Sequence, residues 1–459
     1  MQWYCEPFAD KKITVLGLGL LGRGVGDVEF LAKCGAKVLA TDKKGEEELK
    51  ESVERLKKYP NVTFHLGGHN EKDFTSADMV VKAAGVPLNS PEVAAACKAD
   101  VPVYMSTALF AKYAANVGAT VVGVTGTRGK TTTAHMIYHC LQETKKHEGL
   151  NRAEGAVGRT ILPGKIVLGG NVRGVSTLAL LPEIQKEDIT VLELDSWQMQ
   201  GFGDMRISPH IAVFTNLYPD HQNYYEDMDE YFADKANIFK YQKEGDSLIV
   251  GNGLVERLKA AQPPVEPLFP RPLPMEWTIK VPGEHNRDNA ALAAAALRAL
   301  GISEADIKSG LESFGGVEGR LQFVREVHGV NIYNDNNATT PEATMAALNS
   351  LQGDIALIVG GSEKNLALDE LVVNIRGKVK RVVVLTHPKY KGSERLVAEL
   401  QKGDTAYDEA ASLEEAIKKG LEGMQSGNLL FSPAFTSFGM FKNEYDRNDQ
   451  FLQVVRSLA

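Results

Sequence analysis

Gly126-Thr127-Arg128-Gly129-Lys130-Thr131 ends in a lysine and a hydroxyl, and it stands between an apolar β-branched run and a helical pattern. Such a turn presents backbone N–H groups and the positive end of a helix to phosphates. The lysine ammonium offsets β- and γ-phosphate charge, and the threonine hydroxyl is a hard ligand suited to Mg²⁺. Thr132 follows in the first turn of the same helix and joins this set. The spacing departs from the usual phosphate loop, since Val124 stands five before Gly129 and glycines fall at 123 and 126. A merely flexible loop is the alternative. Strand, turn, Lys-Thr and helix together favour a triphosphate site.

Three further groups fall near strand ends. Glu193 closes the run ITVLE, and Asp220-His221 follow the run AVFTN. In open parallel sheets the ligand crevice lies beyond the carboxyl ends of the strands. A carboxylate and an imidazole there can complete the coordination of Mg²⁺, which prefers oxygen and keeps water. Each alone reads as a solvated loop charge; three in one region favour a site. Lys235 lies in DEYFADKANIF, whose apolar face is Tyr231, Phe232, Ile238 and Phe239. On the residues alone it is a surface lysine.

A second glycine string, Gly17-Leu18-Gly19-Leu20-Leu21-Gly22, also follows a strand-like run, and Asp42 lies twenty residues beyond Gly22. The pattern fits a dinucleotide fingerprint in which the acid holds a ribose. It fits equally a turn that binds another nucleotide, or nothing. A separate triphosphate loop in the same chain weighs against NAD.

Positioning these groups requires strands alternating with helices. Apolar runs at KITVLGLG, KVLATD, MVVKAAG and VPVYMS are followed by ATVVGVT, KIVLGG, ITVLELD and HIAVFTN, then VNIYNDN, DIALIVGG, RVVVLTH and NLLFSPA. Three such series predict an α/β protein of three domains with mostly parallel sheets. The expected domains are 1–108 and 317–459, both Rossmann-like, around a central phosphate-loop domain at 109–316. The 459 residues carry a net charge of -8, which argues against a nucleic-acid or membrane-surface protein. No signal-peptide pattern opens the chain, and no 18-residue apolar run exists to span a membrane, so a cytoplasmic protein is expected. Cys5, Cys34, Cys97 and Cys140 have no CxxC spacing, which suggests buried free thiols.

With these motifs in order, the chain resembles the Mur ligase family along essentially its whole length, and within it the branch that adds D-glutamate. The resemblance rests on GVTGTRGKTTT, LELDSWQ, PDHQNYY, YFADKANIF, GEHNRDNAALAA, GRLQFV, NDNNATTPEAT, GGSEKN and SPAFTSFGMFKNEYDRNDQF. It implies an ATP- and Mg²⁺-dependent ligase that joins an amino acid to a UDP-linked muramoyl carboxylate through an acyl phosphate. A monomer that inserts into no membrane and binds no nucleic acid is expected. Gly19, Leu20, Leu21, Asp42, Lys43 and Gly85 would face the UDP-sugar, with Asn171, Asp195 and Gln198 nearby. ATP would meet Gly126 through Thr132, with Asn286 and Asn289 toward adenine. Thr131, Glu193, His221 and a carbamylated Lys235 would hold magnesium. Arg320, Asp335 and Lys364 would act on the nucleotide and the reacting phosphate. Asn337, Thr339, Ser437, Phe438 and Glu444 would line the amino-acid pocket.

Two positions depart from that branch. Asn337 stands where the D-glutamate enzymes carry a lysine, and Glu444 where a phenylalanine is usual, unless a one-residue shift puts Tyr445 there. Losing a cation weakens the case for an acidic amino acid, so a ligase for L-glutamate or a neutral or basic residue is a rival. An NAD-dependent oxidoreductase and a nucleotide-binding module without chemistry are more distant ones.

Overall fold

The computed structural model describes residues 2–19, 22–172, 174, 176–220, 224–363 and 366–458, except 152–161, and only the backbone of 147–151. The chain packs as two compact units, Met1–Pro274 with Asp288–Gly310, and Met275–Arg287 with Leu311–Ala459.

The first unit holds two sheets. Strands Lys12–Leu16 (β1), Lys37–Asp42 (β2), Val62–Leu66 (β3), Met79–Lys82 (β4) and Val103–Tyr104 (β5) form a parallel sheet in the order β3-β2-β1-β4-β5. Chain order reverses between β1 and β4, where a doubly wound sheet opens its ligand crevice. Strands Thr120–Thr125 (β6), Ile166–Gly170 (β7), Ile189–Glu193 (β8), Ile211–Phe214 (β9), Ser247–Val250 (β10) and Pro267–Leu268 (β11) make the second, also parallel, ordered β11-β10-β9-β6-β8-β7. The phosphate turn thus leaves the sheet beside the ends of both β8 and β9. Residues around both sheets, among them Val15, Val38, Leu109, Val121 and Leu192, share one apolar cluster.

The second unit holds Gln322–Val327 (β12), Val330–Asn334 (β13), Ile355–Val359 (β14), Val379–Leu385 (β15), Asp408–Ala410 (β16) and Gly427–Phe431 (β17), ordered β12-β13-β17-β14-β15-β16. Only the β12–β13 pair is antiparallel. Strand β14 shows why its sequence reads as a continuous apolar run. Leu357 and Val359 enter one core cluster, Ala356 and Ile358 the other, so both faces of the sheet are covered.

The expectation of buried free thiols is corrected for three of the four cysteines. Cys5 and Cys34 are joined as a disulfide, while Cys97 and Cys140 are free thiols, the first exposed and the second buried. A turn at the N-terminus brings Cys5 back to the residue that ends helix Arg23–Lys33, an adjacency that a separation of 29 residues conceals. Among the described residues, no helix is long and apolar enough to cross a membrane.

Candidate active site

In the first unit, the phosphate turn is built by backbone geometry that excludes side chains. Gly126 has φ +142, and a Cβ there would lie 2.0 Å from Thr215 Oγ1; Gly129 has φ +80, and its Cβ would meet Asn289 Oδ1 at 2.3 Å. The segment after β9 braces this turn. Thr127 N donates to Asn216 O at 2.9 Å, Arg128 N to Asn216 Oδ1 at 2.8 Å, and Tyr218 N to Thr127 Oγ1 at 2.9 Å. Sequence reasoning missed Asn216; its signal was the Thr-Asn pair closing a strand next to β6. The helix Lys130–Asn151 begins at the lysine, whose Nζ donates to Thr127 O at 2.9 Å.

Thr131 and Glu193, far apart in sequence, meet here. Thr131 Oγ1 donates to the buried Glu193 Oε1 at 2.8 Å. Asn171 N donates to Glu193 O at 2.7 Å, so the turn after β7 joins the same corner. Asp220 is exposed.

Lys235 is not a surface lysine. It is 1% exposed, its Nζ donates to Gly126 O at 2.9 Å, and it lies 4.7 Å from the Tyr231 ring centroid. Helix Met228–Ala236 turns Tyr231 and Lys235, four residues apart, to the same buried side. Burial, and then the nearby Lys130 charge, pull its amine down to about 7.

At the first sheet's crevice, Leu16, Gly17, Asp42, Lys43 and Gly85 line a cavity of about 200 Å³ together with His69 and Glu92. Lys43 and Glu92 form an ion pair at 3.3 Å. Nothing in the sequence singled out His69 or Glu92. Asp42 also organises the glycine turn, since its Oδ2 accepts from Leu18 N at 2.9 Å and Gly19 N at 3.2 Å. Asp195 and Gln198 form a reciprocal cap on helix Ser196–Asp204, and Gln198 Nε2 donates to Thr107 Oγ1 at 3.0 Å. Leu20, Leu21, His221 and Lys364 lie outside the described residues.

In the second unit, Asp335 is buried; its Oδ1 accepts from Leu321 N at 3.0 Å and its Oδ2 from Ser432 Oγ at 2.8 Å. Burial pushes this carboxyl up to about 7, against the lowering effect of the Ser432 bond. Arg320 is exposed, and Asn286 is buried, with its Nδ2 donating to Pro282 O at 2.7 Å. Asn337 and Glu444 come together through one residue. Asn336 Nδ2 donates to Glu444 O at 2.9 Å and to Asn337 Oδ1 at 3.3 Å. Asn336 is held in turn by the fully buried Arg447, which donates from Nε to Asn336 Oδ1 and from Nη2 to Asn336 O, both at 2.8 Å. Ser437 is buried and its hydroxyl has no partner among the described residues, while Phe438 is 58% exposed beside it. Thr339 is half-buried.

The arrangement can hold a triphosphate against a hydroxyl, a carboxylate and a buried amine. Comparison with known proteins points to one family. The Mur ligase middle-domain family model matches residues 124–263, the Mur ligase glutamate ligase domain 319–433, and the MurD-like N-terminal domain 11–105. A UDP-N-acetylmuramoylalanine–D-glutamate ligase of Roseiflexus sp. (strain RS-1) is 33% identical over 489 residues, covering 98% of this chain and 99% of its own. That of Borreliella burgdorferi (strain ZS7) is 32% identical over 480 residues, covering 99% of each. Among solved structures, the UDP-N-acetylmuramate–alanine ligase MurC of Thermotoga maritima superposes with a TM-score of 0.58 at 18% identity, covering 97% of this chain and 99% of its own. The oxidoreductase alternative finds no support in these matches.

Proposed function

Since this chain belongs to the Mur ligase family, we propose that it is the ATP-dependent ligase that joins D-glutamate to UDP-N-acetylmuramoyl-L-alanine during peptidoglycan precursor synthesis. Relatives named for that reaction align with it from end to end at 31–33% identity, which supports the substrate pair. One observation carries the chemistry: beneath a phosphate turn whose Thr131 meets Glu193 at 2.8 Å, Lys235 Nζ is buried 2.9 Å from the Gly126 carbonyl.

The reading divides labour among residues 1–108 for the UDP-sugar, 109–316 for ATP and 317–459 for the amino acid, in a cytoplasmic monomer. A substrate carboxylate attacks the γ-phosphate, an anion approaching a polyanion. At ~4 Å and an effective dielectric of ~20, each like-charge pair costs on the order of 4 kcal/mol. Lys130 offsets that repulsion, and the turn's N–H groups hold the phosphates in line. The P–O bond to ADP breaks as the carboxylate oxygen bonds to phosphorus. The amine of D-glutamate then attacks the acyl carbon, loses a proton and expels phosphate, leaving the amide. In this reading Arg320, Asp335 and Lys364 serve the nucleotide and phosphate, and the unpartnered Ser437 hydroxyl, with Thr339, serves the amino acid's carboxylates.

The Thr131 hydroxyl and Glu193 carboxylate are hard oxygen donors, which fits Mg²⁺. A carbamate on Lys235 would add two more oxygens, and His221 is assigned to the same ion by family resemblance alone. Bound there, magnesium would neutralise phosphate charge. Burial keeps a large share of the Lys235 amine neutral near pH 7, the form that takes up CO₂.

An amino-acid panel tests the substrate. With ATP, magnesium and UDP-N-acetylmuramoyl-L-alanine, ADP release should depend on D-glutamate, at about 10²-fold or more over L-glutamate, neutral and basic amino acids. Equal release with L-glutamate or lysine would assign another amino acid, and Asn337 and Glu444 would be the reason.

A further inference from the structure

Helix Arg23–Lys33 begins with a cation and has no acid in its first turn. A positive charge at a helix N-terminus opposes the dipole, where an anion would be favourable. The Arg23 side chain has a different task. Its Nη1 donates to Asn171 Oδ1 at 2.9 Å and its Nε to Val172 O at 3.2 Å, across almost 150 residues of sequence. One turn along the helix, the buried Asp27 accepts from Ser176 Oγ at 2.6 Å. Between them Gly26 must lack a side chain, because a Cβ would lie 2.6 Å from Ser176 Cβ. The same helix face therefore seats both ends of the turn after β7. Asn171 N is meanwhile tied to the carbonyl of Glu193, the carboxylate of which accepts from Thr131.

We propose that Arg23 is a positioning residue for substrate: it holds the Asn171 carboxamide in one orientation, oxygen toward the protein and NH₂ toward the UDP-linked acceptor. The inference rests on the reading above that Asn171 meets that acceptor. An amide free to flip would offer oxygen to substrate oxygens half the time; committing Oδ1 to a guanidinium removes that choice. Arg23 thereby links the glycine turn that precedes it to the corner where Thr131 meets Glu193.

A double-mutant cycle tests it. Arg23→Met should raise KM for the UDP-linked acceptor about 10-fold, leaving KM for ATP and kcat within about two-fold. Asn171→Ala should do at least as much, and the double variant should be no worse than Asn171→Ala alone. Arg23→Lys, which keeps charge but not the fork, should fall between. Multiplying effects in the double variant, or an unchanged acceptor KM in Arg23→Met, would overturn the proposal. A ligand-free readout separates it from the assigned reaction. In protein labelled with ¹⁵N-asparagine, the Asn171 carboxamide pair, identified by its loss in Asn171→Ala, should shift and broaden in Arg23→Met. An unaltered pair overturns the positioning role whatever the enzyme's substrate, whereas absent turnover by the unsubstituted enzyme overturns only the reaction. If Arg23→Met does not fold, Arg23→Lys carries the same two readouts.

Discussion

Lys130→Ala should lower ATP-dependent turnover by about 10³-fold or more while the protein stays folded. The lysine is half-buried and its Nζ donates to a carbonyl of its own turn, Thr127 O. The turn's shape comes from other contacts: Asn216 to Thr127 and Arg128, Thr215 Oγ1 to Arg128 O at 2.6 Å, and Tyr218 to Thr127. None uses the Lys130 side chain, so its removal should change stability by no more than about 1 kcal/mol. The transferring phosphate, by contrast, loses a cation. On the order of 4 kcal/mol of charge stabilisation corresponds to about 10³ in rate. ADP release and a thermal melt measured on one preparation check both halves. Turnover within ten-fold of the unsubstituted enzyme would remove Lys130 from the phosphate site.

Lys235→Ala should cost about 10²- to 10³-fold in turnover, with partial recovery in acetate, whose carboxylate stands in for the lost carbamate. The unsubstituted protein, given ¹³C-bicarbonate, should show one labelled lysine carbamate that the variant lacks. The pH dependence follows from the direction of the shift. Burial lowers the amine to about 7, so below that value it is protonated and unreactive, and label should be lost as pH falls through 7. A surface amine, titrating near 10.4, would take up little label until far higher pH. Full activity in the alanine variant, or no label at any pH, would leave Lys235 a buried structural lysine.

The β-branched runs made most of the fold legible, because strands covered on both faces, such as β6 and β14, have apolar side chains at nearly every position. Strands β3, β10, β11, β12 and β16 were not foreseen. Strands β3 and β12 are largely half-exposed, and β12 pairs antiparallel at an edge, while β11 and β16 are two and three residues long, so none of these four makes an apolar run. Strand β10 is a mostly apolar, mostly buried run of four residues that went unread. At the site, local grammar revealed what one segment builds alone: the phosphate turn, the glycine turn and the strand-end Glu193. What tertiary contacts create stayed hidden. Lys235 read as a surface residue because its own segment says nothing of the β6 turn above it. Arg23 and Arg447 look like ordinary helical charges until their partners, Asn171 and Asn336, are in view. Asp42 was legible as a crevice residue, but its bonds to Leu18 and Gly19 were not, since they depend on how the glycine turn folds back on β2.

Oxygen transfer tests the central claim most directly. UDP-N-acetylmuramoyl-L-alanine bearing ¹⁸O in its terminal carboxylate, incubated with ATP, magnesium and D-glutamate, should yield ADP, the amide and inorganic phosphate carrying one ¹⁸O. ADP formed without labelled phosphate, or amide formed without ADP, would contradict an acyl phosphate driven by the Lys130 turn.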